Sequence, residues 1–370
     1  MSKTVIKTYK FRIYPTKAQT EKLETWLSFC CELYNAALQE RRDAWRLNQI
    51  SVNYFDQQNQ LPEIKQIRPE LKDVNSSVFQ NCLRRLDESF KGFYRRVKRG
   101  EKSGFPRFKS YRRFNSFSVP NTRYNFKNGK FNLSRLGLIK IKQHQNIDGK
   151  MKTATVKRQC GKWYVSIVVE FEPKLLPKTG NEIGIDVGLK SFAALSSGTI
   201  IDNQREAEKS QKKLRKAHRH VARRKKGSNR RRKALLLLQK VYQTIFNQRN
   251  DFQHKISTKI ISENDLIAIE KLNIKGLCKG ALARQVLDAS WSSFFFKLRY
   301  KAENAGRTLV EVSPYGTSQT CICGANVPKT LAVRNHKCDS CGLESDRDLV
   351  SAQVILKRAQ VERSNANVKQ

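Results

Sequence analysis

The chain has 370 residues, enough for two or three domains, and 39% of them are hydrophobic. Its 73 lysines and arginines exceed its 32 acidic residues and give a net charge of +41, which favours a large polyanion as partner over a merely solvated basic surface. The sequence contains no apolar stretch of membrane-spanning length, and we expect no signal peptide and no membrane partner.

The chain is predicted to open with a β-strand. Residues 3–14 alternate basic with apolar or aromatic side chains, which is the period of a strand with one buried face. Lys10 and Arg12 fall on the basic face and are candidates for contact with a polyanion. Pro15 ends the strand, and Thr16 can cap the helix that follows.

The segment 17–98 has the apolar spacing of helices. A loop rich in Asn, Gln and Pro is predicted at 51–75. The helix predicted at 76–98 carries Phe and Leu side chains on one face and basic side chains on the other, so only one face should pack against the protein. Residues 104–109 (Gly-Phe-Pro-Arg-Phe-Lys) then alternate aromatic rings with cations.

The middle of the chain is predicted to be β-structure. Alternating runs between 114 and 173 indicate strands, and Asn128-Gly129 is a hairpin signal. Residues 173–180 have the composition of a linker. A domain that contains the acidic motifs is predicted from 182 to 361, and we expect the final residues, 362–370, to be disordered.

A dense basic run lies inside this second domain. Residues 205–233 include 15 lysines and arginines and two acidic residues, and 227–229 (Gly-Ser-Asn) interrupt the run. The pattern predicts two helices joined by a basic turn, with the apolar run Leu235–Leu238 closing the pair. A solvated helical hairpin is the simpler interpretation, but so dense a charge favours a surface that tracks phosphates.

Three acidic motifs follow or open apolar runs. Asp186 lies in Gly-Ile-Asp-Val-Gly, Glu270 ends Leu-Ile-Ala-Ile-Glu, and Asp346 and Asp348 flank Arg347 where an apolar-periodic helix begins. Singly, these residues could be a turn residue, a strand end and a helix cap. In this order they indicate the carboxylates with which a phosphodiester nuclease holds two Mg²⁺ ions about 4 Å apart.

Four of the nine cysteines are clustered, which indicates a reducing cytoplasm and one metal site. Cys338 and Cys341 have the two-residue spacing of a zinc knuckle, whereas Cys321 and Cys323 have one residue between them, which should strain joint ligation. His336 could replace one sulfur. A bound structural zinc would supply about 10 kcal/mol or more of folding free energy, and the alternative is a metal-free ribbon.

These motifs together resemble the TnpB family, the RNA-guided nucleases encoded by bacterial insertion sequences. The resemblance covers nearly the whole chain and includes the opening strand, the segment 104–109 and the acidic motifs. Three further stretches also contribute to it: 249–255 (RNDFQHK), 300–302 (YKA) and 317–321 (TSQTC).

The resemblance implies an α/β multidomain fold, in which an OB-like β-barrel with an inserted helical domain is followed by an RNase H-like RuvC domain carrying a zinc-ribbon insertion. The implied limits are 1–16 for the first barrel (wedge) strand, 17–110 for the helical recognition domain, 111–180 for the rest of the barrel, 181–361 for the RuvC domain, 205–255 for its basic hairpin and 315–345 for the ribbon.

The resemblance also implies a Mg²⁺-dependent RuvC-type DNA endonuclease, located in the bacterial cytoplasm at the nucleoid. A guide RNA from the element's own end would select double-stranded target DNA beside a short flanking motif. Asp186, Glu270 and Asp348 would be the catalytic ligands of two Mg²⁺ ions, with Asp346 as the alternative to Asp348. The four clustered cysteines would bind Zn²⁺. The oligomeric state is open, and a monomer with one RNA is expected.

Candidate nucleic-acid contacts follow from the same comparison. Ser77, Gln80 and Asn81 lie in the helix that corresponds to the motif-reading region, and Asn and Gln suit adenine edges, although ordinary exposed polar residues are the alternative. The remaining candidates are basic: Lys10, Arg12, Arg107, Lys109, Arg223, Arg224, Lys225, Arg230 and Arg231.

Two departures from the family pattern bear on activity. The first cysteine pair is one residue shorter than usual, and Val350 stands where the family usually has Asn, which should weaken cleavage. An RNA-guided binding protein or repressor without cleavage is therefore one alternative function. A guide-independent nucleic-acid-binding accessory of transposition is another.

Overall fold

The computed structural model describes residues 4–330 and 333–368. Contacts divide the chain into two compact units, with the boundary between Glu172 and Pro173. No helix in the described ranges is both long enough and apolar enough to cross a membrane.

The first unit is built on a seven-stranded antiparallel sheet. Its strands are β1 (Val5–Tyr14), β2 (Ser116–Pro120), β3 (Tyr124–Lys127), β4 (Lys130–Leu133), β5 (Gly137–Lys142), β6 (Lys150–Gln159) and β7 (Lys162–Phe171). Their order is β2-β6-β7-β1-β5-β4-β3, so β1 pairs with strands from much later in the chain. Asn128 and Gly129 have φ of 50° and 65°, as the predicted two-residue hairpin between β3 and β4 requires.

The helices of this unit lie between β1 and β2. They are α1 (Lys17–Asn48), α2 (Tyr54–Asn59), α3 (Leu61–Ile67) and α4 (Ser76–Lys98), with a 3₁₀ turn at Pro69–Asp73. Thr16 caps α1 as predicted, with Gln19 completing a capping box. The helices and the sheet share one core, in which the rings of Trp26 of α1 and Phe117 of β2 are 5.6 Å apart.

The loop predicted at 51–75 is wrong, because most of this segment is helical. Asn53 caps α2, whereas Pro62 and Pro69 lie at the starts of α3 and of the 3₁₀ turn. Gln57 is buried, donates to the carbonyl of Ala37 at 2.9 Å and accepts from Arg41 of α1 at 2.9 Å. The side chains of Tyr54, Leu61 and Leu71 are also buried, so tertiary contacts with α1 and α4 override the polar composition.

The second unit contains a five-stranded mixed sheet. Its strands are β8 (Glu182–Val187), β9 (Ser191–Leu195), β10 (Ile200–Asp202), β11 (Leu266–Glu270) and β12 (Thr308–Val312), in the order β10-β9-β8-β11-β12. β8, β11 and β12 are parallel, whereas β9 runs antiparallel to both of its neighbours, β8 and β10. The acidic residues of the first two motifs therefore reach the same edge of the sheet.

Seven helices of the second unit fall within the described residues. They are α5 (Glu206–Lys209), α6 (Gln211–Ala222), α7 (Asn229–Glu263), α8 (Ile274–Leu277), α9 (Ala283–Ala289), α10 (Trp291–Ala305) and α11 (Arg347–Val368). α6 and α7 form the predicted basic hairpin. The apolar run Leu235–Leu238 does not close it by burial, since Leu235 and Leu237 are 36% and 53% exposed.

A two-stranded ribbon of β13 (Asn335–Lys337) and β14 (Glu344–Asp346) precedes α11 directly. α11 packs closely on β8, where a side chain on Gly184 would collide with the carbonyl of Ala352. The prediction of a disordered tail at 362–370 is wrong for residues 362–368, because these residues continue α11. Residues 369 and 370 lie outside the described residues. Glu182 holds this end by accepting from Gln360 at 2.8 Å and from Arg363 at 2.9 Å.

Candidate active site and metal centre

The first two acidic motifs end adjacent parallel strands. β8 and β11 pair Ile185 with Ile269, so the next residues, Asp186 and Glu270, lie side by side where the two strands end. Strands in such a pair are about 4.8 Å apart, and residues in register point to the same face. The four apolar residues before Glu270 are buried, which fixes the strand and places the Glu270 carboxylate at its carboxyl end.

Burial acts on both carboxyls, and repulsion by neighbouring carboxylates acts on Asp186. The protein around Asp186, and then the charges of Glu270 and Asp348, raise its pKa well above the ordinary value. Burial also raises the pKa of Glu270, although a hydrogen bond from Thr317 opposes this rise. The Thr317 hydroxyl lies 2.5 Å from Glu270 Oε1. Arg347 and Arg358 oppose these rises, but both carboxyls still have raised pKa values, so a bound cation would stabilise their charged forms.

The third motif places two aspartates in different roles. Asp346 ends β14, and its carboxylate accepts the backbone amide of Asp348 at 2.8 Å, as a helix-capping residue does. Asp348 lies in the first turn of α11, and its charge acts on Asp186. Asp348, rather than its alternative Asp346, therefore lies where its charge acts on Asp186.

Two arginines hold the Asp348 carboxylate. Arg334, from the segment before β13, donates to its two oxygens at 3.1 and 3.3 Å. Arg347 donates to it at 3.2 Å and also to the carbonyl of Val333. The sequence pattern identified Arg347 only as the middle of a motif and gave no sign of Arg334, because this contact depends on the ribbon fold.

Four sulfurs form a tight cluster in the ribbon. The Sγ atoms of Cys321 and Cys341 are 3.6 Å apart, and those of Cys323 and Cys338 are 3.7 Å apart. A tetrahedral site with zinc–sulfur bonds of about 2.3 Å requires sulfurs about 3.8 Å apart. In the described ranges this is the one group of three or more His, Cys, Asp or Glu side chains close enough to hold an ion.

The short spacing of the first pair does not prevent convergence. Gly324 adopts a φ of 97°, which turns the chain directly after Cys323. Although burial opposes it, the backbone amides of Cys341 and Ser340 lower the pKa of Cys338 to about 7. His336 is not the replacement ligand we considered, because its buried ring contacts Lys329 and lies outside the sulfur cluster.

The basic turn of the second unit is exposed. Arg223, Arg224 and Lys225 lie between α6 and α7, and Arg230 opens α7; all four are exposed. Arg231 instead has a structural contact, since its guanidinium donates to the carbonyls of Val221 and Arg224 at 2.6 and 3.1 Å and so caps α6. Four of these five candidates therefore present free surface for a polyanion.

The candidates of the first unit lie in several environments. Lys10 and Arg12 lie over the rings of Tyr164 and Tyr14 at 4.6 and 4.5 Å on the face of β1. Ser77 donates to Asn75 and belongs to the cap of α4, while Gln80 and Asn81 are partly buried on that helix. Arg107 is exposed, and Lys109 lies 4.1 Å from the ring of Tyr34.

Thr317 is a site residue that sequence reasoning missed. It lies in a 3₁₀ turn at Thr317–Gln319, within the stretch that resembles the family's C-terminal signature, and it is buried. Its hydroxyl orients one of the three carboxylates. The only available signal was that threonine in the signature, and its partner could not be read from sequence.

Comparison with models of protein families gives three matches. Residues 166–280 match the family model described as "Probable transposase", residues 291–355 match the "Cas12f1-like, TNB domain", and residues 1–49 match a model described as "Helix-turn-helix domain". In the described part of this last segment the chain forms one strand and one long helix.

Three curated relatives align along most of the chain. A "Putative RNA-guided DNA endonuclease" of Streptomyces pristinaespiralis is 34% identical, over 96% of this chain and 90% of that protein. The "Putative RNA-guided DNA endonuclease InsQ" of Escherichia coli K12 is 28% identical, over 95% and 92%. "TnpB-like protein L770" of Acanthamoeba polyphaga mimivirus is 26% identical, over 95% and 73%. The chain belongs to the TnpB family of RNA-guided nucleases.

Proposed function

We propose that this chain is an RNA-guided, Mg²⁺-dependent DNA endonuclease whose cleavage site consists of Asp186, Glu270 and Asp348. The observation that carries the proposal is the placement of Asp186 beside Glu270, with Asp348 near enough for its charge to act on Asp186. Two lie side by side at the ends of parallel strands, and the third acts on Asp186 from the start of α11. Asp348 is paired with Arg334 and Arg347, and the oxygens of the three carboxylates are not all close enough to share one ion in this conformation. Carboxylate oxygens are nevertheless the ligands that hard cations such as Mg²⁺ prefer.

The residues present fit two Mg²⁺ ions in their donor chemistry. When bound, such ions polarise the scissile phosphate and stabilise the attacking and leaving oxygens. Glu270 is held by Thr317 with one oxygen in a fixed position. To hold a metal ion, Asp348 would have to release Arg334 and Arg347, and the guanidinium of Arg334 would then be free to contact a phosphate.

The finer domain assignment is part of this proposal. The order of the five-stranded sheet supports an RNase H-like RuvC domain over 181–361, and the sheet of the first unit supports a partly open OB-like barrel formed by 1–16 and 111–180, with the helical domain 17–110 inserted. We further propose that the four cysteines hold one structural Zn²⁺, consistent with their sulfur spacing.

The proposed partners are a guide RNA from the element's own end and double-stranded target DNA beside a short flanking motif. The net charge of +41 and the exposed turn between α6 and α7 support two nucleic acids as partners. Base pairing with the guide would supply sequence specificity. A cytoplasmic location at the nucleoid follows from such a target.

Plasmid cleavage tests the proposal. The protein is purified with RNA transcribed from its native flanking DNA and incubated with a target library whose flank is randomised, with and without RNase pretreatment. Cutting should need Mg²⁺ and the RNA and should select one flank. Asp186→Asn should abolish cutting, whereas Asp202→Asn, the same change at the exposed end of β10, should not.

Two outcomes separate the alternatives. Cutting retained by the Asp186→Asn protein would overturn the site assignment. Stable binding of RNA and target without any cut would favour an RNA-guided repressor instead. In that case Val350 is the first residue to change, because it is buried in α11 and offers no polar group where the family usually has Asn.

A further inference from the structure

The first unit contains a basic cavity that none of the proposed cleavage-site residues lines. It has a volume of about 390 Å³ and lies among α1, α4 and the segment 106–114. Its lining includes four cations and two buried rings, and no acidic residue contributes to it. The residues that matter here are Tyr34, Arg85, Arg107, Lys109, Arg113 and Phe114.

Two of the cations are fixed in place before any ligand binds. Arg85 of α4 donates to the carbonyl of Ser116 at 2.7 Å and lies 4.9 Å from the ring of Phe114. Lys109 lies over Tyr34, and its backbone amide donates to Asn35 at 2.8 Å. The partners of these cations are neutral groups, so their positions are set while their charges stay uncompensated.

The charges in the cavity have no counter-ion among the residues that the structure describes. No carboxylate lies within ion-pair distance of Arg85, Arg107, Lys109 or Arg113 in those parts of the chain. Burial, and then the charge of Arg85, lower the pKa of Lys109. Four cations assembled without an anion repel one another, and an anion that enters the cavity removes this repulsion.

An aromatic residue beside the cavity suggests the kind of anion. Phe108 lies between Arg107 and Lys109, is 49% exposed and also lines the cavity. The guanidinium of Arg42 lies 5.4 Å from its ring. A ring of this kind, next to fixed cations, offers a stacking surface for a base beside a phosphate.

We propose that this cavity binds one backbone phosphate of a nucleic-acid strand, with the neighbouring base stacked on Phe108. The proposal rests on the proposed function, because the strand would be either the guide RNA or the target DNA. Phosphate oxygens would accept from Arg85, Arg107 and Arg113, and Lys109 would supply charge from the inner wall. The shared chemistry is the phosphodiester, and the experiment distinguishes its two sources.

Arginine footprinting tests the cavity directly. The full-length protein is treated with phenylglyoxal in three states: free, with its copurified guide RNA, and with RNA plus target DNA, all without Mg²⁺. Mass spectrometry then compares Arg107 and Arg113 with Arg112, which is exposed and does not line the cavity. If RNA protects Arg107 and Arg113 but not Arg112, the bound strand is the guide RNA. If this protection appears only when DNA is added, the bound strand is the target DNA.

Equal protection of Arg112 and Arg113, or protection of neither cavity arginine, would overturn the proposal. Since no cleavage is involved, this result is independent of whether the chain cuts DNA. A failure of cutting in the plasmid assay would equally leave the footprint unchanged.

Matched variants give a second readout. Arg107→Gln/Arg113→Gln and the control Lys102→Gln/Arg112→Gln each remove two positive charges, and all four side chains are exposed. The salt dependence of binding to the strand identified by footprinting is measured by fluorescence anisotropy, with circular dichroism to verify folding. The slope of log K against log salt is negative, and its magnitude should decrease by roughly 0.7 in the cavity variant, which is the value for one single-strand phosphate contact. Equal slopes in both variants would contradict the proposal.

Discussion

Replacing Thr317 with Val should weaken the cleavage site without removing any proposed metal ligand. The Thr317 hydroxyl lies 2.5 Å from Glu270, and the exposed fraction of the Glu270 residue is only 8%. A hydrogen bond to a charged group contributes about 1.5–3 kcal/mol. At 1.4 kcal/mol per factor of ten, its loss should raise the Mg²⁺ concentration for half-maximal cleavage by roughly 10- to 100-fold.

The pKa of Glu270 predicts how the same substitution changes the pH profile of cleavage. Because the Thr317 hydrogen bond lowers this pKa against the effect of burial, its removal should raise the pKa further and shift the pH profile of cleavage toward alkaline pH. The assay is a Mg²⁺ titration of plasmid cleavage at several pH values.

Thr317→Ser should restore the hydroxyl, and Thr320→Val is a matched control, because the Thr320 hydroxyl lies in the same segment but donates to the carbonyl of Gly316 at 2.8 Å. If Thr317→Val and Thr320→Val show the same Mg²⁺ requirement and pH profile, then Thr317 does not orient Glu270 in the active protein.

Other predictions address packing, charge and the ribbon. Gly184→Ala should destabilise the fold by about 1–3 kcal/mol and reduce cleavage, because its methyl group collides with α11, whereas Gly280→Ala should not; urea unfolding and plasmid cleavage compare them. A carboxyl whose pKa is raised in the folded state destabilises the fold above its ordinary pKa of about 4, and this effect is absent below that pH. Asp186→Asn should therefore raise the Tm in EDTA at pH 8, with the gain disappearing toward pH 4; a gain that is independent of pH would contradict this reasoning. Arg334→Gln should lower the Mg²⁺ requirement about two- to fivefold by freeing Asp348, whereas Lys337→Gln, an exposed residue of β13, should not. Elemental analysis should find one zinc per chain, and serine in place of either cysteine of the second pair should abolish it; a full zinc content in that variant would exclude the four-sulfur site.

Local features of the fold were predictable where they depend only on residues that are neighbours in the sequence. The cap at Thr16, the helix that begins at Ser76 and the Asn128-Gly129 hairpin all depend on residues close together in the chain. The strand ends that carry Asp186 and Glu270 were also predictable, because a short apolar run followed by a carboxylate already identifies a buried strand and its edge.

Features that depend on distant contacts were not predictable. The segment 51–75 is polar in composition, yet it folds into short helices because Gln57 finds partners on α1. The end of α11 is ordered through Glu182, which lies almost the whole second unit away in sequence. The contact between Arg334 and Asp348 likewise requires the ribbon to fold first, so no spacing rule could indicate it.

The ribbon joins the last helix without a connecting loop. Asn335 pairs with Asp346 at the base of the hairpin, and the amide of Arg347 donates to the carbonyl of Arg334 at 2.8 Å, so the helix begins on the residue after the strand. A shortened version of this protein should therefore keep the whole hairpin, because its tip contains Cys338 and Cys341 and its base positions the start of α11. Any deletion that unpairs Asn335 from Asp346 would change the starting angle of α11, and with it the position of a cleavage-site carboxylate. For miniaturisation, the junction between the hairpin and the helix is therefore the part of the ribbon least able to tolerate a deletion.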